Sequence, residues 1–277
     1  MKTLASGVYL ESRYPAVSLG AVASEGSILL IDTPLRTEDL REWQGQLADH
    51  GRPRHLVLLD HHPDRSLGAR GTEVTVIAQD QTRLVMSNWP DTFKGSARPF
   101  GAEADRIKRI TGVAKAVPEL SFSDELLIHL GKRVIVLWHR PGPMPGSIWA
   151  LLPELHVAFI GDTVMLEEPL FLAEADLERW REALTELSGR EFKGYTLVTS
   201  RDGLVDRAAV QAMGRLLGKI EDRLGKLRGG GEAEASALAA QLLKGYKLTA
   251  ARREVGQLRL TNGLQRLHAR RSSAAGD

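Results

Sequence analysis

The chain has 277 residues, a formal charge of +2 and no cysteine, so disulfides and thiolate metal sites are excluded. No segment approaches the roughly 20 apolar residues that a membrane-spanning helix needs. The first residues also lack the apolar stretch of a signal peptide. We therefore expect a soluble, cytoplasmic protein with no membrane partner.

The first third of the chain predicts strands followed by one helix. Residues 7–33 contain three short apolar runs separated by Gly, Ser and Glu, which is typical of strands. The segment 36–51 has the apolar spacing of a helix, with Thr37 as its expected N-cap and Gly51 at its end. The next apolar run, "RHLVLLD", predicts a buried strand.

The middle of the chain alternates further strands with helices. The predicted strands are a run at 72–79, a hairpin over 120–139 that turns near Gly131 and Lys132, two runs between 147 and 164, and a last strand at 195–200. The predicted helices are 80–89, 101–112 and 175–189, with a loop at 90–99. Such a pattern favours an α/β (α+β) fold in which helices cover sheets.

The chain is predicted to be helical from Asp206 to its end, with "RGGG" as a flexible joint. Most of the basic excess lies here, in "DRLGKLRGGG" and in residues 247–271. Nucleic-acid faces usually combine denser basic clusters with stacking aromatic rings, and these segments have few. Solvated helix faces are the simpler interpretation, and we expect no nucleic-acid partner.

One short stretch, "LLDHHPDRSLGARG", is the strongest candidate for a functional site. Two histidines and two aspartates lie between Asp60 and Asp64, directly after a predicted strand. Carboxylates and imidazoles at this density are typical of metal ligands. Arg65 follows them, however, and a guanidinium cannot deprotonate in a protein to bind a metal.

The order of four blocks resembles the metallo-β-lactamase superfamily. These blocks are "GSILLIDTPL", "LLDHHPDRSLGARG", "HRPGPMPGSIWALLPELHVAFIGDTV" and "LVTSRDGLVDRAAV". The resemblance implies an αββα sandwich over residues 1–215, with a C-terminal helical extension at 216–277 packed on it. It also implies an active site on loops at one edge of the sheets. Typical members bind two metal ions, usually zinc, and hydrolyse esters, amides, thioesters or phosphoesters.

Four positions keep a side chain that is able to bind a metal in that family's pattern. His62 matches the second histidine of the His-x-His-x-Asp-His loop, Asp64 its aspartate, and Asp162 the bridging aspartate. Asp60 replaces the first histidine and retains oxygen donors. The expected metal set of a reduced site is therefore Asp60, His62 and Asp162.

Other positions of the pattern are substituted. Arg65 stands where the loop would end in histidine, and Pro143 stands where a histidine would follow Pro-Gly. The last histidine falls on Arg201 or on Asp202, because the gap can be placed in two ways. We expect Arg65 to replace a metal as a fixed cation that pairs with Asp64 and Asp162, and Arg201 to do the same from the other side.

Two functional hypotheses follow from these substitutions. The first is a protein that has lost the dinuclear site and is inactive, or that is reworked to bind a small ligand or another protein, with an Arg–Asp network at the old centre. The alternative is a metal-dependent hydrolase with one weakly held Zn, Mn or Fe ion, and with Asp64 or Asp202 as catalytic general base. A further option is a homo-oligomer, or pairing with an active relative, through the C-terminal helices.

Overall fold

The computed structural model describes residues 1–90, 115–225 and 231–274, and within them the chain forms two sheets. The first sheet has seven strands in chain order. They are β1 (Lys2–Ala5), β2 (Val8–Glu11), β3 (Leu19–Ser24), β4 (Ser27–Ile31), β5 (Arg52–Val57), β6 (Thr75–Gln79) and β7 (Leu120–Phe122). Strands β1 to β4 are antiparallel neighbours, whereas β4 to β7 run parallel.

The second sheet has six strands in the order β13-β12-β11-β10-β9-β8. They are β8 (Glu125–Leu130), β9 (Arg133–His139), β10 (Ile148–Leu152), β11 (Val157–Phe159), β12 (Thr196–Thr199) and β13 (Gly203–Val205). Only β11 and β12 are parallel neighbours in this sheet. Two parallel pairs, β4–β5 and β11–β12, therefore end in loops that carry the candidate site.

Seven helices accompany the sheets in the described parts of the chain. They are α1 (Thr37–Gln46), α2 (Pro63–Ser66), α3 (Asp80–Ser87), α4 (Leu177–Leu187), α5 (Arg207–Leu224), α6 (Glu232–Leu243) and α7 (Ala250–Ala274). None of the helices in the described ranges is long and apolar enough to cross a membrane.

Alternation along the strands divides the apolar side chains among three layers. In β4, Leu29 and Ile31 point between the two sheets, whereas Ile28 and Leu30 pack under α1 with Trp43. Residues of β10 and β11 face α4, α5, α6 and α7 in the same way on the far side. The expected αββα sandwich is therefore confirmed, and burial of these faces is its main driving force.

The C-terminal helices share the outer layer of the second sheet. Leu238 of α6 and Leu264 of α7 belong to the same buried cluster as Trp180 of α4 and Met213 of α5. Helix α5 runs through residue 215 without a break.

Several local predictions need correction. Arg36, not Thr37, is the N-cap of α1, and no side chain caps that helix. The segment 120–122, predicted as part of a hairpin with β8, instead extends the first sheet beside β6. The strand at 195–200 is not the last, because β13 follows it. The predicted helix at 101–112 lies outside the described residues.

Candidate functional site

The candidate site lies where the two parallel strand pairs end. Asp32 directly follows β4, and the loop 58–65 follows β5. On the other sheet, Asp162 comes shortly after β11, and Arg201 comes shortly after β12. Carboxyl ends of neighbouring parallel strands meet at one edge, so residues distant in sequence converge there.

The converging side chains form a buried group that we call the Arg–Asp centre. Its members are Asp32, Asp60, His62, Asp64, Arg65, Asp162 and Arg201. All seven side chains are at least 98% buried. A charged group in such a place is costly unless it is paired and hydrogen-bonded.

Arg65 is in the middle of the Arg–Asp centre. Its Nη1 donates to Asp60 Oδ2 at 2.9 Å, and its Nη2 donates to Asp162 Oδ2 at 2.6 Å. Its Nε lies 3.9 Å from Asp32 Oδ2. One guanidinium thus joins carboxylates from the ends of three strands, in a geometry that its planar fork allows and an ammonium does not.

Arg201 closes the other side of the Arg–Asp centre. Its Nη1 donates to Asp64 Oδ2 at 3.1 Å, and its Nε donates to Asp162 Oδ2 at 3.3 Å. Its Nη2 lies 3.0 Å from both ring nitrogens of His62. Asp162 therefore bridges two guanidiniums through a single oxygen, Oδ2.

The structure corrects one expected pairing. We expected Arg65 to join Asp64 and Asp162, but Arg65 pairs with Asp60 and Asp162, while Asp64 pairs with Arg201. Asp64 is the second residue of the four-residue helix α2 and Arg65 the third, so their side chains point in different directions. The two arginines therefore divide the carboxylates between them.

Local backbone contacts hold the loop after β5 in place. His62 is the N-cap of α2, and its Nδ1 accepts a hydrogen bond from the Asp64 amide at 3.3 Å. The Thr33 amide and hydroxyl both donate to the Arg65 carbonyl, at 3.1 and 2.6 Å. A Cβ at Gly68 would lie 1.9 Å from the Pro34 carbonyl oxygen, so only glycine fits there. The backbone of Arg65 is thereby tied to the end of β4.

The pKa shifts show how the charges of the centre are distributed. Burial raises the pKa of Asp162, but Arg201 and Arg65 outweigh that effect and leave the pKa below its ordinary value. Burial also raises the pKa of Asp60, and Arg65 opposes this rise only in part. Burial raises the pKa of Asp32 to about 7, against the opposing charge of Arg65. Burial thus favours the protonated form most clearly at Asp32, and Asp162 is the acid whose ionised form the two guanidiniums stabilise.

The same groups do not fit a metal ion. Burial lowers the pKa of His62 well below its ordinary value, and Arg201 lowers it further, so the ring is neutral. Its two nitrogens nevertheless face the Arg201 guanidinium, and Asp60 Oδ2 and Asp162 Oδ2 face Arg65. A divalent ion bound by these atoms would lie a few ångströms from two permanent positive charges, which repel it strongly at this burial.

No group of three or more His, Asp or Glu side chains in the described ranges is arranged to hold a metal. Pro143 is buried in the loop between β9 and β10, and its ring has no atom that binds a metal. Arg65 and Arg201 instead contact the oxygens of Asp60 and Asp162 and the ring nitrogens of His62 that a metal ion would need.

Asp202 and His61 lie beside the Arg–Asp centre. Asp202 Oδ2 accepts a hydrogen bond from the Leu166 amide at 2.7 Å, and burial raises the pKa of Asp202. His61 is 3% exposed, and its Nε2 lies 3.1 Å from Glu174 Oε2. The Asp202 carboxylate therefore holds the loop after Asp162 by accepting a hydrogen bond from the backbone of that loop.

Sequence reasoning missed two residues that join the C-terminal helices to the centre. Phe171 lies edge-on to His62, with ring centroids 4.3 Å apart, and the Arg201 guanidinium is 4.5 Å from its centroid. Arg259 of α7 stacks on the same ring at 4.0 Å and donates to the Pro169 carbonyl at 2.8 Å. The ring of Phe171 thus contacts two guanidiniums, and cation–π contacts are strongest when the cation is desolvated.

A signal for Arg259 was available in the sequence. The buried positions of α7 include Gly256, Leu260, Gly263 and Leu267, which recur at helical spacing. Arg259 is adjacent to this stripe and is buried with it. An arginine on the apolar face of a helix requires a buried partner. The position of Arg259 beside the apolar stripe therefore indicates a contact with another part of the fold.

Comparisons with known proteins agree with the architecture. No protein-family model matches the chain, and no curated protein matches its sequence. A metallo-β-lactamase family protein from Thermus thermophilus matches with a TM-score of 0.69 at 17% identity, covering 99% of this chain and 96% of that one. A metallo-β-lactamase from Pontibacter korlensis matches with a TM-score of 0.61 at 18% identity, covering 78% and 97%.

The metallo-β-lactamase FIM-1 from Pseudomonas aeruginosa, in its mono-zinc form, matches with a TM-score of 0.59 at 16% identity, covering 79% of this chain and 94% of that one. The chain therefore has the metallo-β-lactamase fold. The resemblance drawn from the sequence is confirmed at the level of the fold. The similarity to the Thermus protein extends through the C-terminal helices, because it covers almost the whole chain.

Proposed function

We propose that this protein uses the metallo-β-lactamase fold without metal-dependent hydrolysis, as a binding protein whose old catalytic centre is a permanent Arg–Asp network. The observation that carries the proposal is the position of Arg65, which donates to Asp60 at 2.9 Å and to Asp162 at 2.6 Å. A guanidinium supplies positive charge to converging carboxylates, as a metal would, but it holds no water ligand and generates no hydroxide.

The second arginine supports the same proposal. Arg201 occupies the remaining side of Asp162 and contacts Asp64 and both nitrogens of His62. For the alternative, a single-metal hydrolase on Asp60, His62 and Asp162, both guanidiniums would have to leave a site in which they are buried and ion-paired. Separating buried ion pairs costs several kcal/mol, which makes the alternative the weaker interpretation.

Metal uptake tests the proposal most directly. The wild-type protein is purified without chelators, incubated with Zn, Mn or Fe(II), desalted and analysed for bound metal. We expect well below one equivalent of each ion. An equivalent or more that is lost in both Asp60→Ala and His62→Ala would overturn the proposal and favour the hydrolase.

A reversion experiment tests whether the arginines are the cause. The triple substitution Arg65→His, Pro143→His and Arg201→His removes both guanidiniums and supplies three imidazoles. We expect zinc uptake in this variant and none in Arg140→Met, the matched control, which removes an arginine from an ion pair with Glu186 elsewhere. Circular dichroism confirms that each variant is folded, and a folded triple variant without zinc would contradict the proposed role of the arginines.

A further inference from the structure

A cavity of about 500 Å³ opens beside the Arg–Asp centre, within the size range of small-molecule sites. The sandwich and the C-terminal helices form it together. From the sandwich, its walls include Tyr14 in the loop after β2, Glu167 in the loop after Asp162, and Asp202 in the loop after β12. From the C-terminal part, they include Tyr246 and Lys247 in the loop between α6 and α7. The cavity is therefore formed by loops after β2, β11 and β12 together with the loop between α6 and α7.

The cations on the walls are mostly engaged in ion pairs of their own. Arg201 is committed to Asp64 and Asp162, and Arg252 pairs with Glu168 at 3.0 Å. Lys247 is the wall cation with no carboxylate partner in the described parts of the chain, and it is exposed. Lys247 is thus the one positive charge on the described walls that no carboxylate compensates.

The carboxylates on the walls are less well compensated. Asp202 accepts a backbone amide but forms no ion pair with a described residue, and neither does Glu167. Burial raises the pKa of Asp202, and the neighbouring carboxylates of Glu167 and Asp162 raise it further.

Aromatic rings complete the walls. Tyr14 and Tyr246 are 7% and 9% exposed, so each shows only a small surface to the cavity. Burial raises the pKa of Tyr246 to about 12, and its phenol stays neutral. Carboxylates and tyrosine rings together are the groups with which proteins bind organic ammonium ions.

We propose that this cavity binds a small organic molecule with a primary ammonium group, held by Asp202 and Glu167 against the ring of Tyr246. The proposal rests on the binding role proposed above and names its ligand class. The proposed function and the proposed ligand class can fail separately. The metal experiments test the Arg–Asp centre, whereas the ligand experiment tests the cavity.

Titration calorimetry with four molecules of equal chain length tests the ligand class. The probes are butane-1,4-diamine, 4-aminobutanoate, butane-1,4-diol and succinate. We expect the diamine to bind most tightly and 4-aminobutanoate next, with no heat from the diol or from succinate. Equal binding of diamine and diol, tightest binding of succinate, or no binding of the diamine would each overturn the proposal.

Variants locate the binding site for the diamine. Asp202→Asn keeps an oxygen for the Leu166 amide but removes the charge, and we expect about tenfold weaker diamine binding. Tyr246→Leu removes the ring, and we expect a severalfold loss. Glu154→Gln, an exposed residue before β11, is the charge-matched control and should bind as the wild type does. An unchanged affinity in folded Asp202→Asn would place the ligand elsewhere and overturn the assignment.

A pH series adds a second readout. Because the pKa of Asp202 is raised, the carboxyl group takes up a proton at a higher pH than usual and then no longer attracts an ammonium ion. Diamine affinity should fall as the pH is lowered and the Asp202 carboxylate takes up a proton, and the fall should be smaller in Asp202→Asn. A pH dependence that is identical in the two proteins would contradict the assigned role of Asp202.

Discussion

Two arginines in this molecule form forked contacts with carboxylates, but their surroundings differ. Arg65 is completely buried and joins Asp60 to Asp162. Arg140 donates Nε and Nη2 to the two oxygens of Glu186, at 2.7 and 2.8 Å, and both side chains are about 30% exposed. The hydrogen bonds are alike, and water reaches only the second pair.

The two pairs differ in how the carboxylates are solvated once the arginine is removed. At Glu186, water and a rotamer change can solvate the carboxylate that is left behind. Asp60 and Asp162 are buried, so neither water nor a rotamer change can solvate their carboxylates. Each carboxylate then needs another cation as partner, or it takes up a proton. The fold therefore requires the cation of Arg65 in the Arg–Asp centre. It does not require the cation of Arg140 beside Glu186 on the surface of α4.

The largest effect is expected for Arg65→Met. It leaves Asp60 and Asp162 buried without their shared partner, so we expect a loss of about 3–5 kcal/mol in the free energy of unfolding. Arg140→Met should cost about 1 kcal/mol or less, since the pair is partly exposed and screened. Urea denaturation followed by circular dichroism measures both variants under the same conditions.

Salt sharpens this comparison. Raising the ionic strength from about 0.05 to about 0.5 M should reduce the cost of Arg140→Met and leave that of Arg65→Met unchanged, because screening reaches exposed pairs only. Equal costs for the two substitutions, or a strong salt dependence at Arg65, would show that the Arg–Asp centre is hydrated. The distinction between the two regions would then be wrong.

The second effect in size is expected for Arg259→Met. The substitution keeps most of the apolar stem but removes the cation stacked on Phe171 and the hydrogen bond to the Pro169 carbonyl. We expect a loss of about 2–3 kcal/mol in the free energy of unfolding, measured by urea denaturation. Arg271→Met, at an exposed position near the end of the same helix, is the control and should change stability little. A loss below about 1 kcal/mol at Arg259 would mean that α7 contributes only apolar contacts.

The fold was predictable because its signals are repeated many times. Apolar runs of strand length, a helix-like spacing around Trp43 and Trp180, and four blocks in a familiar order all indicate one architecture. The boundaries were less certain, since Arg36 rather than Thr37 is the N-cap of α1 and the short β13 has no apolar run of its own. Errors of one or two residues do not change which face of an element is buried.

Six of the seven members of the Arg–Asp centre were predicted from the sequence, but Asp32 and the pairing of the charges were not. Proximity in the sequence placed Asp64 beside Arg65, yet the contact of Arg65 is with Asp60, and Asp64 pairs with a residue 137 positions away. The direction of a side chain on a single turn of helix decides this, and the residue order does not reveal it. Arg259 was missed for a related reason, because nothing local links α7 to Phe171.

The smallest expected effect on stability comes from protonation of the Asp32 carboxyl group in the Arg–Asp centre. The pKa of Asp32 is raised from its ordinary value near 4 to about 7, so the folded protein holds a proton that the unfolded chain releases. The contribution is fully present below about pH 4 and is lost as the pH rises towards 7. We therefore expect a fall of about 1–2 kcal/mol in stability between pH 5 and 7 that disappears in Asp32→Asn.

This last prediction separates Asp32 from its neighbours in the Arg–Asp centre. Asn keeps an acceptor for the Leu59 amide and a polar contact for Ser200, so the variant removes the titration with little change of shape. The lowered pKa of Asp162 acts in the opposite direction and in another range, because its contribution is lost only as the pH falls below about 4. Urea denaturation of both proteins at several pH values gives the difference curve. A flat difference between pH 5 and 7 would show that Asp32 is already ionised in the fold and that Arg65 compensates its charge at a distance of 3.9 Å.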